Sequence, residues 1–417
     1  YCGFKVNSGE YKLMGLAPYG KPIYAKKIKE NLIDIKKDGS FRLDMSFFKY
    51  HRGLRMTSSK FNKLFKNPPR EKESELTQFY MDIAASIQLI TEEIVILLAK
   101  SLKKETSSKN LTLAGGVALN CVANGKLLKE KIFENIWIQP AAGDAGGSLG
   151  AALALWYNEN KNDRKINFND DMNGSYLGCE FDQNEIEDEL KSIGANFDTE
   201  NYEKLIDKTS DYLINEKAIG WFQGRMEFGP RALGGRSILG DPRSDKMQKN
   251  LNLKVKYRES FRPFAPSVLR EDLNDWFDID VNSPYMLLVA NINSSKKINM
   301  TEDQKKLFGI EKLNIKRSEI PAVTHVDYSA RIQTVTKETN KRYYDLISKF
   351  KEKTGCPVLV NTSFNVRGEP IVNTPTDAFN CFMGTELDYL IIGNCILDKT
   401  KQNSNLKKDY TKEFELD

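Results

Sequence analysis

Two strand–glycine–helix units constrain the fold of the first part of this chain. The strings LTLAGGVALN (residues 111–120) and IWIQPAAGDAGGSLGAAL (residues 136–153) each run from a short apolar strand through paired glycines into a helical segment. Glycines at the carboxyl ends of parallel strands are where α/β sheets hold nucleotides. We therefore expect an α/β fold with a nucleotide at this edge. Close helix–sheet packing through small residues is the alternative interpretation.

A second constraint is the stretch GWFQGRMEFGPRALGGRSILGDPR, residues 220–243, which carries four arginines among glycines and prolines. This composition disfavours a regular helix and lets the backbone approach a ligand closely. Guanidinium groups make forked, charge-assisted hydrogen bonds to phosphate and carboxylate oxygens. The stretch therefore predicts a pocket for a small polyanion, and a charged surface loop or a nucleic-acid contact is the alternative.

Other basic side chains also follow or precede apolar strands, in KVKYRESFRPFAPSVL, THVDYSARIQTV and PVLVNTSFNVRGEPIV. The predicted set comprises Arg225, Arg231, Lys256, Arg262 and Arg331, with Ser363 and Asn361 as neutral donors. Because these residues lie near strand ends, we expect them to line one concave face. A fixed cationic cradle would offset the repulsion between two polyanions, for instance ATP and a smaller phosphate.

Composition argues against several other classes of protein. The formal charge of +5 comes from 62 basic and 57 acidic residues, and this near-balance is not that of a dedicated nucleic-acid binder. Six cysteines form no CxxC pair, which fits a reducing cytoplasm. No apolar run reaches the roughly eighteen residues that would predict a membrane partner. With two histidines and no Ser-His-Asp, HExxH or Walker A pattern, histidine acid–base catalysis is not expected.

The polar segment Lys161–Met172 predicts a linker between two domains, residues 1–168 and 174–417. Apolar stripes predict helices at Leu76–Lys103 and Tyr202–Asn215, and Asp38-Gly39 predicts a hairpin. The chain opens at Tyr1 in what looks like the middle of a domain. We therefore expect a fragment of a longer protein, whose exposed edge would favour association into an oligomer.

Four polar residues outside these segments are weaker candidates. Glu10 and Lys12, in the loop-rich string NSGEYKLMGLAPYGKP, can meet a bound ligand, and a plain connector is the alternative. His51 is expected at the surface. His325 is a candidate site group, but we interpret it as a hydrogen-bonded structural histidine. Thr324–Val335 around it is predicted to be a strand.

Seven strings resemble the O-carbamoyltransferases of the nodulation-factor, cephamycin and tobramycin type. They are NSGEYKLMGLAPYG, LAGGVALNCVANGKL, PAAGDAGGSLGAAL, GRMEFGPRALGGRSILGDPR, FRPFAPSVL, ARIQTV and NTSFNVRGEPIV. The resemblance covers nearly the whole chain except the tail. It implies the C-terminal half of an actin-like ATPase domain, followed by a YrdC-like twisted open α/β sheet. The implied reaction forms carbamoyl adenylate from carbamoyl phosphate and ATP with Mg²⁺, then transfers the carbamoyl group to a hydroxyl of a small-molecule acceptor such as a sugar or antibiotic.

The resemblance also implies residue roles. Contacts to carbamoyl phosphate and nucleotide would come from Arg231, Lys256, Arg262, Arg331 and Ser363, with Glu10, Lys12, Arg225 and Asn361 as further nucleotide contacts. The adenylate in the transfer domain would be held by Gly115, Gly116, Asn120, Gly146 and Gly147, with Asp144 as a metal ligand.

The chain departs from the family pattern in its metal site. The family's metal is an iron held by histidines and one aspartate, and those histidines lie upstream of the motif that opens this chain. Iron is therefore expected only in a longer parent, and this chain is expected to retain the adenylation step alone. Transfer to tRNA or to a protein, and a non-catalytic nucleotide-binding remnant, are the alternatives.

Overall fold

A nine-stranded mixed sheet organises the second part of the chain in a computed structural model, which describes residues 1–164, 170–307, 309–410 and 414. The strands are β1 Ile33–Ile35, β2 Phe41–Leu43, β3 Asn110–Leu113, β4 Asn135–Ile138, β5 Asp198–Thr199, β6 Ile219–Phe222, β7 Arg236–Gly240, β8 Ala265–Leu269, β9 Leu288–Asn291, β10 Ser329–Val335, β11 Val358–Ser363, β12 Tyr389–Ile392 and β13 Cys395–Asp398. The helices are α1 Glu10–Leu16, α2 Ala25–Asn31, α3 Ser59–Phe65, α4 Gln78–Thr106, α5 Cys121–Lys129, α6 Ala145–Ala154, α7 Gln183–Ser192, α8 Tyr202–Ile214, α9 Met247–Asn250, α10 Leu273–Trp276, α11 Glu302–Lys306, α12 Lys341–Thr354 and α13 Pro375–Gly384.

The strand order of the large sheet is β5-β13-β12-β6-β7-β11-β8-β10-β9. The pairs β12–β6 and β8–β10 are parallel, and the remaining neighbours are antiparallel. Strands β6, β7 and β8 are buried along their whole length, as expected for apolar strands that are covered on both faces. Helix α12 packs on β8 and β11, while α13 packs on β6 and β12.

The arginine-rich stretch folds as the antiparallel pair β6–β7 with a long loop between the strands. Buried Glu227 fixes this loop, because its Oε1 accepts the backbone N–H groups of Leu233 at 2.6 Å and Gly235 at 2.7 Å. Arg236 is fully buried, with its guanidinium 3.5 Å from the centre of the Phe222 ring, and it donates to backbone carbonyls including that of Gly224 at 3.0 Å. This arginine therefore builds the loop, whose tip carries Arg231.

The first part of the chain packs against the large sheet through shared apolar clusters. Leu16, Tyr19 and Met81 pack with Phe261 and Val326 in one cluster. A second cluster joins residues of the parallel pair β3–β4 and its loops to the sheet. This cluster contains Ala118, Ile138 and Ala142 from the first part, Ala265 and Leu288 from the sheet, and Leu233 from the loop between β6 and β7. The two parts therefore share one continuous interior at this junction.

Several predicted elements are confirmed. The hairpin pairs Ile33 with Leu43 around the Asp38-Gly39 turn, and the predicted helices correspond to α4 and α8. Both strand–glycine–helix units are present, as β3 leading to α5 and β4 leading to α6. The result is a mixed α/β fold with a large sheet.

One element was predicted incorrectly. The strand expected at Thr324–Val335 begins only at Ser329, because the preceding residues form a turn in which the Tyr328 N–H donates to the His325 carbonyl at 3.0 Å. Tyr328 has a φ of 66°, which a strand does not accommodate.

Residues 165–169 of the predicted linker lie outside the described residues, so the domain boundaries stay predictions. Within the described ranges, no helix combines the length and the apolar character needed to cross a bilayer.

Candidate active site

A cavity of about 440 Å³ lies where the first part of the chain meets the large sheet. Its walls come from α1, the start of α5, the loop between β6 and β7, and the ends of β8, β10 and β11. The basic side chains that line it are Lys12, Arg231, Lys256, Arg258, Arg262, Arg331 and Arg367. Among the described lining residues, Glu369 is the one carboxylate. The cavity is therefore strongly cationic and suits a multiply charged anion.

Lys256 is almost completely buried within this cationic set. Its Nζ donates to the backbone oxygens of Ser363 at 2.6 Å and Asn365 at 2.7 Å, and to Asn365 Oδ1 at 2.6 Å. It also lies 3.2 Å from Ser363 Oγ. These acceptors are all uncharged, so burial, with Arg258 and Arg262 nearby, lowers the pKa of Lys256 well below its usual range. A bound anion would relieve this penalty.

Arg231 and Arg331 carry donors that the described residues leave unsatisfied. The Nε atom of each is buried and finds no hydrogen-bond acceptor in the described part of the chain. The Nη2 atom of Arg231 donates to the Leu119 carbonyl at 3.5 Å. Burial, together with the charge of Arg331, lowers the pKa of Arg231 to about 9. Two guanidinium groups held together with open donors form an incomplete arrangement that an oxyanion would complete.

Glu259 and Tyr11 connect α1 to the cations of the second part of the chain. Glu259 lies between Arg262 Nη1 at 3.3 Å and Lys12 Nζ at 3.6 Å. The Nη2 atom of Arg262 also donates to the Tyr11 hydroxyl at 2.5 Å. Burial alone would raise the pKa of Glu259. The positive charges of Arg262 and Lys12 outweigh burial, so the pKa of Glu259 is lowered. Residues about 250 positions apart thus share one wall of the cavity.

Comparison with known proteins agrees with this architecture. The family profile described as "Carbamoyltransferase N-terminus" matches residues 1–153, and the profile "Carbamoyltransferase C-terminus" matches residues 210–399. An uncharacterized protein of Synechocystis is 59% identical over 100% of this chain and 68% of its own length. The chain belongs to the O-carbamoyltransferase family.

Named relatives include the nodulation protein NolNO of Sinorhizobium fredii, 37% identical over 94% of this chain and 53% of that protein. The 3'-hydroxymethylcephem-O-carbamoyltransferase of Streptomyces clavuligerus is 30% identical over 73% of this chain and 52% of that enzyme. The chain thus spans about half the length of these two relatives. The solved structure of full-length HypF in its phosphate- and nucleotide-bound form aligns over 49% of this chain and 23% of HypF. The TM-score is 0.31 and the sequence identity is 15%, so this similarity is too weak to indicate a shared fold.

The cavity of this member of the O-carbamoyltransferase family brings together six of the side chains predicted from the sequence. They are Lys12, Arg231, Lys256, Arg262, Arg331 and Ser363. Three others lie elsewhere. Arg225 is exposed and pairs with Glu180 at 3.3 Å, Glu10 is exposed and accepts the Asn7 N–H at 2.9 Å, and the Asn361 amide is buried inside the sheet.

The Asn361 side chain was expected to be a ligand donor, but its amide nitrogen donates within the fold. Its Nδ2 donates to the Ala232 carbonyl at 3.1 Å, to Ser267 Oγ at 3.1 Å and to Gln333 Oε1 at 2.8 Å. It lies between strands β7 and β8, which both pair with β11 at this point. Its role is therefore to join interior strands beneath the cavity.

The glycines of the two strand–glycine–helix units lie at a separate edge, outside the cavity. A side-chain carbon added at Gly115, Gly116 or Gly147 would meet no described atom within 4 Å, so this edge has room for a ligand. Gly146 differs, because its added carbon would lie 2.3 Å from the Ala141 carbonyl oxygen. Asn120 caps α5 by accepting the Ala123 N–H at 3.1 Å. The expected nucleotide contacts at this edge stay predictions.

Asp144 is exposed just before α6. No group of three or more His, Cys, Asp or Glu side chains that can hold a metal occurs in the described ranges. The described residues therefore do not supply an iron site around Asp144.

Four cavity residues were missing from the predicted site. Arg258 follows Lys256 by two residues, and the φ of 47° at Tyr257 turns the chain between them. Arg367 pairs with Glu73 of the first part of the chain. Asn365 holds Lys256, and its place in NTSFNVRGEP was a usable signal.

The fourth residue is His325, whose interpretation as a hydrogen-bonded structural histidine was wrong. Neither of its ring nitrogens has a hydrogen-bond partner among the described residues.

Proposed function

We propose that this chain forms carbamoyl adenylate from carbamoyl phosphate and ATP, as the first half of carbamoyl transfer to a hydroxyl of a small molecule. The observation that carries the proposal is the cavity that Lys256 lines together with Arg231 and Arg331, whose buried Nε atoms find no acceptor among the described residues. Its approximate volume of 440 Å³ is within the usual range for small-molecule sites. Membership of the carbamoyltransferase family supports the carbamoyl group as the unit that is transferred.

The chemistry brings two anions into contact before any bond changes. In the proposed reaction, phosphate leaves carbamoyl phosphate with uptake of one water molecule, and a carbamate oxygen then bonds to the α-phosphorus of ATP as pyrophosphate leaves. Negative charge is therefore moved onto leaving oxygens twice. Cationic donors that are fixed before the reaction stabilise this charge without reorganising, and stabilisation of this kind is the main contribution a protein makes to phosphoryl-type transfer.

Individual side chains have distinct tasks in this proposal. Arg231 and Arg331 direct open donors at phosphate oxygens, and Lys256 adds a charge that is oriented by the Ser363–Asn365 turn. Arg262 is held by Tyr11 and Glu259, so it reaches the same anions in a set orientation. Mg²⁺ would accompany ATP as its counterion. No step is assigned to iron, because the described residues do not form a site for it.

We further propose that the sheet domain is YrdC-like and that the first part belongs to an actin-like transfer domain. The name of the cephem relative and its 30% identity support a hydroxyl-bearing small-molecule acceptor. Transfer to tRNA or to a protein is the second candidate, and a chain that binds nucleotide without turnover is the third.

The test is carbamoyl-phosphate-dependent release of pyrophosphate from ATP in the presence of Mg²⁺. Release is expected from the wild-type chain, and Arg231→Ala is expected to lower it about 100-fold or more, the usual effect of removing one preorganised donor. Arg225→Ala is the matched control, because Arg225 lies on the same loop but pairs with Glu180 at the surface. Equal losses in both variants would contradict the assignment of the cavity.

Two further outcomes separate the candidates. ATP binding without pyrophosphate release, from a chain shown to be folded by circular dichroism, would favour the non-catalytic alternative. Release that requires added tRNA would favour the second candidate.

A further inference from the structure

His325 lies in the turn that precedes β10 and lines the cationic cavity. Its backbone is held on both sides, because its N–H donates to the Ser329 carbonyl at 2.8 Å and its carbonyl accepts Arg317 Nε at 3.2 Å. The edge of its ring meets the Tyr19 ring at a centroid distance of 5.2 Å and an interplanar angle of 73°. The position of the imidazole is thus fixed by the fold and not by its own polar atoms.

The imidazole is buried without the hydrogen bonds that burial normally requires. His325 is 6% exposed, and neither Nδ1 nor Nε2 has a hydrogen-bond partner within the described part of the chain. The Asp327 Oδ1 atom lies 3.6 Å from Nδ1, too far for a direct hydrogen bond. A purely structural histidine would be hydrogen-bonded at one nitrogen or more. The unmet donors and acceptors therefore point to a group that enters the cavity.

The surroundings of the ring favour an anion as that group. Arg331 follows on the same segment and also lines the cavity, with its own Nε unsatisfied among the described atoms. Arg317 contributes a second positive charge, but its guanidinium is directed at backbone carbonyls, including that of Thr324 at 3.3 Å. Asp327 is half-exposed and accepts from Ser329 Oγ at 2.6 Å, which leaves it able to receive a ring N–H after a small movement.

We propose that His325 is a further contact of the anion in this cavity, donating one ring N–H to a phosphate oxygen while Asp327 receives the other ring N–H. The inference rests on the proposed function, since it requires that the cavity bind phosphate-type anions. It assigns His325 a binding role beside Arg331, at the wall that also contains Tyr19 of the first part of the chain.

The test uses the fact that the chain has only two histidines. Protein carrying ¹³C at the histidine Cε1 positions should show two signals, and His325→Gln identifies the one that belongs to His325. Inorganic pyrophosphate is the probe. We expect the His325 signal to shift on titration, while the signal of exposed His51 stays in place as an internal reference.

Binding measurements by calorimetry complete the test. His325→Phe keeps a ring against Tyr19 and removes both nitrogens, so it is expected to weaken pyrophosphate binding about tenfold, a usual loss for one charge-assisted hydrogen bond. His325→Gln, which retains an N–H donor, is expected to lose less. His51→Gln is the matched control and should bind like the wild type.

The two hypotheses fail in different ways. Pyrophosphate binding that depends on Arg231 but leaves the His325 signal and the His325→Phe affinity unchanged would overturn this inference alone. A wild-type chain that does not bind pyrophosphate would overturn both this inference and the proposed function.

Discussion

At the scale of single residues, Lys256 shows how the fold prepares a charge for a ligand. Its amine is enclosed by carbonyl and amide oxygens, with Arg258 and Arg262 nearby. Burial and the two guanidinium charges favour the neutral amine over the ammonium form, and they outweigh the oxygens that accept its hydrogen bonds. The protein therefore carries an electrostatic penalty when the cavity is empty, and an anion removes it.

This penalty predicts a pH dependence of anion binding. The pKa of Lys256 in the folded protein lies well below the usual 10.5. Without an anion, Lys256 therefore loses its proton as the pH rises through that lowered pKa. An anion prefers the protonated form, and its affinity should fall over the same interval. Calorimetry with sulfate at two pH values, one on the acidic side of the lowered pKa and one close to the usual 10.5, is expected to show severalfold weaker binding at the higher pH.

Lys256→Met provides the control for that measurement. The variant should bind sulfate more weakly at both pH values and should lose most of the difference between them. An identical pH dependence in the variant would mean that another group causes it.

At the scale of elements, two helical glycines in similar sequence settings have opposite surroundings. Gly125 in α5 lies so close to β9 that an added side-chain carbon would be 2.2 Å from the Val289 carbonyl oxygen. Gly147 in α6 has no described atom within 4 Å of the corresponding position. Neither glycine has a positive φ, so the difference arises from packing alone.

We expect Gly125→Ala to destabilise the protein by about 2–4 kcal/mol, because backbone would have to move to admit one methyl group. Gly147→Ala should be neutral or stabilising by about 0.5–1 kcal/mol, the usual gain from replacing a helical glycine. Urea unfolding of both variants measures this difference. Similar losses in the two variants would show that α5 does not pack on β9 as described.

The elements that the sequence predicted well are those with local signals. The apolar stripe of α4 and the Asp38-Gly39 hairpin depend on residues near one another in the chain, and both were placed within a few residues. The sequence also predicted five residues that the fold brings together at the cavity, namely Arg231, Lys256, Arg262, Arg331 and Ser363.

The failures arose where long-range contacts decide the outcome. Nothing in the local sequence distinguishes Arg231, at the tip of its loop, from Arg225, which pairs with Glu180. Asn361 was misassigned because its three acceptors come from distant segments. His325 was misjudged because the absence of hydrogen-bond partners among the described residues is a property of the folded chain alone.

At the scale of the whole molecule, the first part of the chain and the large sheet share interior contacts and not only a surface. Buried Asn124 of α5 donates through Nδ2 to the Ala118 carbonyl at 2.8 Å and to the Leu287 carbonyl at 3.1 Å. The second acceptor, the Leu287 carbonyl, directly precedes β9 of the large sheet. One amide therefore satisfies carbonyls in both parts.

Asn124→Ala should lower the stability of the whole chain by about 2–3 kcal/mol, because two buried carbonyls lose their donor. We expect calorimetry to show a single unfolding transition that moves as one. Asn135→Ala, which removes only an exposed hydrogen bond to Asn110, should change stability by less than about 0.5 kcal/mol. Two transitions, with only the earlier one shifted by Asn124→Ala, would show that the two parts unfold independently.

The cavity wall formed by Tyr11 and Lys12 constrains how two related proteins can be joined into one chimaeric chain. These two residues precede the predicted linker by some 150 positions, yet their partners are Arg262 and Glu259. A chimaera joined at the linker would replace this wall with one shaped for another protein's cations. A crossover intended to exchange the acceptor while keeping the proposed adenylation should therefore fall before α1, so that the helix is inherited together with the sheet whose cations it contacts.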